Sequence, residues 1–436
     1  MSPHEMLSNI RARSVSIACL LTLLPLSLLH GAAPWSGKAA ALVVPATDAP
    51  SGRVAQVGDI LRTGPAGQNA GAMVVNTQAS RVFVVNIVTN GICPEDNASP
   101  TPTGTVDVLD SVTGSLLRTV SIGLCPQTAA LDVQSNRLFI TNAGVTDQQR
   151  AGTGRGTVSV LDATTGAVLR TVRVGIWPYA LAVDARAGRV YVTNRGESSL
   201  SVLDATTGAV LQTITMAPCP WAIAVAEQTG RAFVTNCGTP RDDYVGDVIT
   251  LDTRHGTMVR TVPRAASQSV VVAARTRRVF VSGFNKVYVL DAATGALLHS
   301  TRVVGDVKAV DERVGHAFMA QDDNRLTMLD ATSGSVLSSI HIARGIAAVA
   351  VDEQRGHAFV STVGYPNGNT VSVVDTHSGA VLHTVPVGPY PALGAVDSRA
   401  GHVFVISKDN TNPTGHPHPI LYMLDAGSGG AVGGTP

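Results

Sequence analysis

Apolar residues fall in short runs along the chain, alternating with polar ones or filling the run, and most runs end at Gly, Asp, Asn or Pro. The stretch from Ala129 to Val174 displays the unit. Ala129–Val133, Leu138–Thr141, Thr157–Leu161 and Val168–Val174 read as four strands, A to D. Val, Ile and Thr are enriched in them, as suits a pleated surface packed against neighbours. The C-to-D link, Asp162 to Gly166 (DATTG), is a hairpin signal. Its Asp accepts backbone N–H bonds and its Gly takes the positive φ that closes the turn. Near copies begin at Asp204, Asp291 and Asp330, so these carboxylates read as turn chemistry rather than catalysis.

The unit repeats. RVYVTN at Arg189–Asn194 returns as RVFVVN from Arg81, RLFITN from Arg137 and RAFVTN from Arg231. Looser copies open at Arg278, His316, His357 and His402. Aspartates closing strand C stand at Asp110, Asp162, Asp204, Asp252, Asp291, Asp330, Asp375 and Asp425. A period of ~40–50 residues with several strands per unit predicts a β-propeller. The eighth unit stops after strand C at Asp425, while Gly58–Thr63 resembles the D strand at Gly166–Thr171. The N-terminal segment is therefore expected to complete the last blade, leaving no unpaired edge at the joint. The expected fold is all-β: one eight-bladed propeller of four-stranded blades over residues 54–425, with seven blades as the alternative. Residues 1–41 read as signal peptide and processing region, and 426–436 as a Gly-rich tail.

Val192, Thr193 and Asn194 after Tyr191, with the Gly175-x-x-Pro178 step and the Leu-Asp run, resemble the YVTN family of β-propeller repeat proteins. The resemblance covers nearly all of residues 54–425 and implies the fold rather than a function. It implies a secreted, periplasmic or surface-layer setting among proteins mostly without an assigned activity. More distant relatives are propeller subunits of quinoprotein dehydrogenases. From Arg278 onward the copies depart, with Ser282-Gly283 where Thr-Asn is expected.

Composition adds the compartment and narrows the partners. Hydrophobic residues are 44% but aromatics only 4%, so Val, Ala, Leu and Ile carry the core. Net charge is +1 with no basic block, which argues against nucleic acid. Arg11 and Arg13 precede an apolar run from Val15 to Leu29, followed by Ala32, Ala33 and Ala39–Ala41, the pattern of a secretory signal. Pro25 interrupts a run already short of the ~20 residues a membrane span needs. No second run of that length follows, so no span is expected after cleavage. An uncleaved anchor is the alternative. The expected location is extracellular, cell-surface or periplasmic. Four cysteines lie beyond the signal, and export favours disulfides: Cys93–Cys125 and Cys219–Cys237. Cys219 precedes strand A of the fourth unit and Cys237 follows its strand B, positions that an antiparallel hairpin sets opposite one another. A four-thiolate zinc site is the alternative, though no C-x-x-C pair is present.

In a propeller the D-to-A and B-to-C loops share one face. Trp177, Tyr179, Trp221 and Tyr390 all fall in D-to-A loops beside the channel mouth and form the candidate ligand site. The competing reading is that these rings only cover gaps between blades. The longest B-to-C loops belong to units 8, 1 and 2, and contribute Glu95, Asp96, Asp147, Arg150, His416 and His418 as candidate interaction residues. His416 and His418 alone do not make a metal site. His316, His357 and His402 each open a B strand on the opposite face, where radial separation keeps them from converging. There is no G-x-S-x-G, H-E-x-x-H, C-x-x-C-H or phosphate-cradling loop, so no catalytic residue, cofactor or metal is assigned. The reading is a binding module for a protein or cell-envelope component, with a small molecule at the channel mouth as a further option. The alternative is a channel-mouth lyase or lactonase, or the propeller subunit of a dehydrogenase complex.

Overall fold

A computed structural model describes residues 56–65, 70–86, 103–144, 155–237, 245–266, 269–342, 345–364, 369–391, 393–407 and 420–427. The strands form eight four-stranded antiparallel sheets, and the seven-bladed alternative falls away. Seven sheets are simple meanders, from Ala70–Ser121 in blade 1 to Ile346–Pro386 in blade 7. The eighth combines Leu393–Asp397, His402–Ser407 and Ile420–Asp425 with Ile60–Pro65 from the other end of the chain. Arg62 pairs with Met423 and Gly64 with Leu421, so the expected closure by the N-terminal strand is present. Helices are absent from the described residues.

Burial across a blade explains the sequence pattern. Strands B and C are covered on both faces by neighbouring blades; the B strands carry apolar runs, and in the C strand Ser199–Asp204 even Ser199 and Ser201 are buried. The third residue of every B strand is a buried aromatic: Phe83, Phe139, Tyr191, Phe233, Phe280, Phe318, Phe359 and Phe404. Each such burial is worth about 1.5–3 kcal/mol, and the set forms the stave of each inter-blade core. Burial pushes the Tyr191 phenol up to about 12, and its hydroxyl donates to Thr253 O of the next blade at 2.7 Å. Strand D is the outer edge and largely exposed. Strand A begins earlier than the apolar pattern alone suggests, at Pro126 in blade 2 and Pro178 in blade 3, because a β-bulge interrupts the pairing after the proline. Bulges re-aim side chains, and here they carry Tyr179 and Trp221.

The A–B/C–D end of the ring is closed by side chains reaching between blades. Arg81 Nε donates to Thr164 O at 3.2 Å, Arg189 Nη1 to Thr253 O at 2.8 Å, Arg231 Nε to Ala293 O at 3.0 Å, and Arg278 Nε to Thr332 O at 3.1 Å. Where the repeat substitutes histidine, Nδ1 makes the same reach: His316 to Thr376 O, His357 to Ala426 O and His402 to Ser111 O, at 2.8–2.9 Å. The joint between blades 2 and 3 uses Arg170 on Thr207 O instead, at 2.6 Å. These three histidines, which radial separation was expected to keep apart, stand on three different blades, each on its own inter-blade acceptor.

The recurring Asp–Gly turns act at the same joints. Asp162 Oδ1 accepts from Thr164 N, Thr165 N and the Thr165 hydroxyl at 2.8–3.0 Å. Gly166 has φ +73°, and a Cβ there would stand 2.4 Å from Val108 of the preceding blade. Glycine is therefore required both for the turn and for blade-to-blade approach. Partial burial alone would raise the carboxyl pKa of Asp110, Asp162, Asp252 and Asp291. Turn hydrogen bonds and a neighbouring Arg outweigh that and hold each below the ordinary range. In Asp204, Asp330 and Asp375 the hydrogen bonds dominate, with the same direction.

Candidate functional site

Four pre-proline residues in D-to-A loops adopt left-handed backbone: Cys125 (φ 55°), Trp177 (52°), Cys219 (58°) and Tyr390 (51°). A bulky residue before proline is normally extended, so these loops hold strained backbone of the kind that gathers at binding sites. The residue that follows strand B pairs with this position. Ala143 N donates to Cys125 O at 2.9 Å, Arg195 N to Trp177 O at 3.0 Å, and Cys237 N to Cys219 O at 3.0 Å. One backbone frame thus sets a different side-chain pair on each of three adjacent blades.

In blade 4 that pair is the disulfide Cys219–Cys237, with Cα atoms 5.6 Å apart. Two of the four thiols are thereby committed, and the zinc alternative loses its ligand set. Cys125 is also disulfide-bonded, while Cys93 lies outside the described residues. In blade 3 the pair is Trp177 and Arg195. The Arg195 guanidinium carbon sits 4.5 Å from the Trp177 ring centre, 4.2 Å from Trp221 and 5.8 Å from Tyr179. Tyr179 and Trp221 contact each other, tilted, at 4.8 Å. Arg195 Nε donates to Cys219 Sγ at 3.3 Å, joining the aromatic cluster to the disulfide. Cation–π contact contributes about 0.5–2 kcal/mol per pair, more as water is excluded.

The repeat holds these rings in place. The Thr193 hydroxyl accepts from Ala180 N at 3.0 Å and lies 3.3 Å from Trp221 O of the next blade. Thr141 occupies the same position one blade earlier, 3.3 Å from Tyr179 O. Below them, buried Asn194 donates to Ser199 and Ser201, each at 2.8 Å. Burial lowers the Arg195 guanidinium pKa from its ordinary value, partly opposed by Tyr179. Arginine nevertheless remains charged near neutrality.

Three of the four expected aromatics therefore meet, and Tyr390 does not. It stands in the loop between blades 7 and 8, 39% exposed, with its N–H on Asn369 Oδ1 at 3.3 Å. Glu95, Asp96, Asp147, Arg150, His416 and His418 lie outside the described residues. Sequence reasoning missed Arg195, which sits opposite Trp177 as Cys237 sits opposite Cys219. It also missed Phe284, 69% exposed on the same face although the other seven phenylalanines are buried in B strands. Beside Phe284, loops of blades 5 and 6 border an open cleft of about 540 Å³ that includes Arg302, Val304, Gln321 and Asp322.

The inner strands bear mostly Ala and Val. Lys308, paired with Asp306 at 3.3 Å, is the only basic residue on them among those described. Among the described residues, no three His, Cys, Asp or Glu gather as a metal site.

Residues 244–339, from the approach to strand C of blade 4 into strand D of blade 6, match the family described as outer membrane protein assembly factor BamB. No curated protein matches the chain. Among solved structures, the computationally designed Ika8 protein aligns with a TM-score of 0.60 and 15% identity, over 85% of this chain and 99% of that one. Dihydro-heme d1 dehydrogenase NirN in complex with DHE aligns at 0.57 and 14%, over 74% and 72%. BamB from Moraxella catarrhalis aligns at 0.56 and 12%, over 84% and 100%. At such identities the likeness is one of fold.

Proposed function

We propose that this chain is an exported propeller of the YVTN-repeat kind that binds a protein or cell-envelope partner through its D–A/B–C loop face. The observation that carries the reading is the asymmetry of aromatic placement. Among the described residues, a buried ring recurs at the third position of every B strand, whereas Trp177, Tyr179, Phe284 and Tyr390 present surface on the D–A/B–C loop face. Exposed aromatics on a rigid scaffold favour recognition. The partial match to an assembly-factor family agrees with a binding role. The Cys219–Cys237 disulfide accords with an oxidising compartment.

Residues 1–41 are proposed as the signal and processing region, 54–425 as the mature ring and 426–436 as a tail. A second disulfide, Cys93–Cys125, is part of the same reading. The loops bearing Glu95, Asp96, Asp147, Arg150, His416 and His418 would extend the binding face.

Site-directed photocrosslinking in the living host tests the proposal. A photoreactive residue at Phe284 or Tyr390 is expected to trap a discrete partner, whereas the same probe at Thr164 or His377 on the closed face traps none. Equal adducts from both faces, or none from the loop face, would overturn it.

A further inference from the structure

Arginines on the closed face are engaged by protein acceptors. Arg81, Arg231 and Arg278 each donate to main-chain carbonyls and face a carboxylate, at 3.3, 2.6 and 3.7 Å respectively. Arg189 donates to Thr253 O and Arg254 O. Arg195 is treated differently. Among the described residues its guanidinium makes one hydrogen bond, from Nε to Cys219 Sγ, and no carboxylate pairs with it. Its charge is balanced by the faces of Trp177 and Trp221, and burial already disfavours that charge. A partly desolvated cation with no counter-ion among the described residues is a costly arrangement. Here it is held by strained loops, a disulfide and the bulged strands that carry Tyr179 and Trp221.

The geometry points to Arg195 as the anchor of a carboxylate-binding subsite at the joint of blades 3 and 4. Guanidinium carries five N–H donors in a planar fork. With Nε engaged, the two Nη groups have no acceptor among the described residues, and two parallel N–H bonds from such groups match the two oxygens of a carboxylate. Trp177 and Tyr179, both half-buried, leave ring surface beside the guanidinium for the apolar body that bears the acid. Excluding water from this pocket strengthens the charge-assisted bonds. The carboxylate is that of a peptide chain or of a free organic acid. The loop-face reading above favours the peptide, but the subsite stands without it.

The protein carries its own reporter. Trp177 and Trp221 are two of only three tryptophans, and Trp35→Phe removes the third. In that background, tryptophan emission is titrated with acetate, N-acetylglycine, a peptide acid, the same peptide as its C-terminal amide, and inorganic phosphate. A saturable change with carboxylates, weakened at least about tenfold in Arg195→Lys, is expected, because lysine keeps the charge and loses the fork. Preference for the peptide acid over its amide and over acetate identifies a peptide source. Equal binding of the small acids identifies a free acid. No saturable response to any carboxylate, a response to phosphate alone, or unchanged affinity in Arg195→Lys would overturn the subsite. Should Arg195→Lys fail to fold by circular dichroism, Trp177→Phe serves instead, with a smaller loss of affinity expected and Trp221 still reporting. Crosslinking at Phe284 does not depend on Arg195, so the interaction reading can fail while the subsite survives, and the reverse.

Discussion

At one end of the ring, Arg or His at the start of strand B reaches a carbonyl just after the next blade's strand C at seven of the eight joints; at the other end, equivalent backbone positions hold different side chains on three adjacent blades. The closed end repeats because each bond there serves the same joint. At five of those joints the bond is partly shielded from water, so losing it there would leave a half-buried carbonyl without this partner. The loop end is freed by that rigidity. A disulfide in blade 4 and a Trp–Arg stack in blade 3 occupy one backbone frame without changing it. Recurrence marks where the ring is held together, and departure from recurrence marks where it can recognise something.

The harshest way to break this comparison is to open the ring. Deleting residues 60–65 strips blade 8 of its outer strand and bares the edge of Ile420–Asp425. It also removes the contacts of Arg62 with Thr113 and Ser115 in blade 1. The expected result is loss of the cooperative fold, seen as aggregation on size exclusion and a collapsed thermal transition. An elution volume and a transition matching the parent's would mean that closure does not depend on this strand.

Phenylalanine tests the same contrast at single-residue scale. Phe139 is fully buried in the core between blades 2 and 3, and Phe284 stands 69% exposed. Phe139→Ala should cost about 3–5 kcal/mol in urea unfolding, and Phe284→Ala no more than about 0.5 kcal/mol. Comparable losses at both would show that the loop-face ring is part of the fold.

Much of this is legible in the sequence. The DATTG turn, the eightfold return of Asp and the D-like segment at Gly58 together require a ring closed by its N-terminus. Local turn chemistry and period-two strands are written in adjacent residues, so they can be read directly. Bulges cannot, because they depend on pairing register, and the start of strand A at Pro178 rather than within the apolar run follows from one. Tyr390 shows a second limit, since its loop resembles that of Trp177 yet sits on a different joint. Arg195 was within reach. The hairpin argument that joins Cys219 to Cys237 pairs Trp177 with Arg195 as well, once applied to every blade rather than only to cysteines.

Replacing the disulfide sharpens the comparison within the loop face. Cys219→Ser with Cys237→Ser opens a loop closed over a sequence separation of 18 residues, a loss of about 3 kcal/mol by the chain-entropy argument. The Arg195–Sγ bond goes with it. Chemical unfolding should fall by that amount, and tryptophan emission should shift because both reporting rings contact Arg195. Lost stability with unaltered emission would separate the disulfide from the aromatic cluster.

The smallest effect separates the two faces by pH. Asp162 has a carboxyl pKa below the usual value, since turn hydrogen bonds and Arg137 outweigh the opposing effect of burial. A depressed carboxyl contributes stability that is complete above its unfolded pKa of about 4 and is lost as pH falls through the lower folded value. Asp162→Asn keeps an acceptor for Thr164 N and Thr165 N but drops the charge, so a loss of about 1 kcal/mol is expected at pH 7. Parent and variant should then converge as the solution is acidified below pH about 4. Arg195→Lys, whose site lacks a described carboxylate, should keep a constant stability difference over the same range. If the Arg195 difference also closes in acid, a carboxylate of this chain already occupies the fork. If the Asp162 difference stays flat, the closed face is held by geometry rather than by charge.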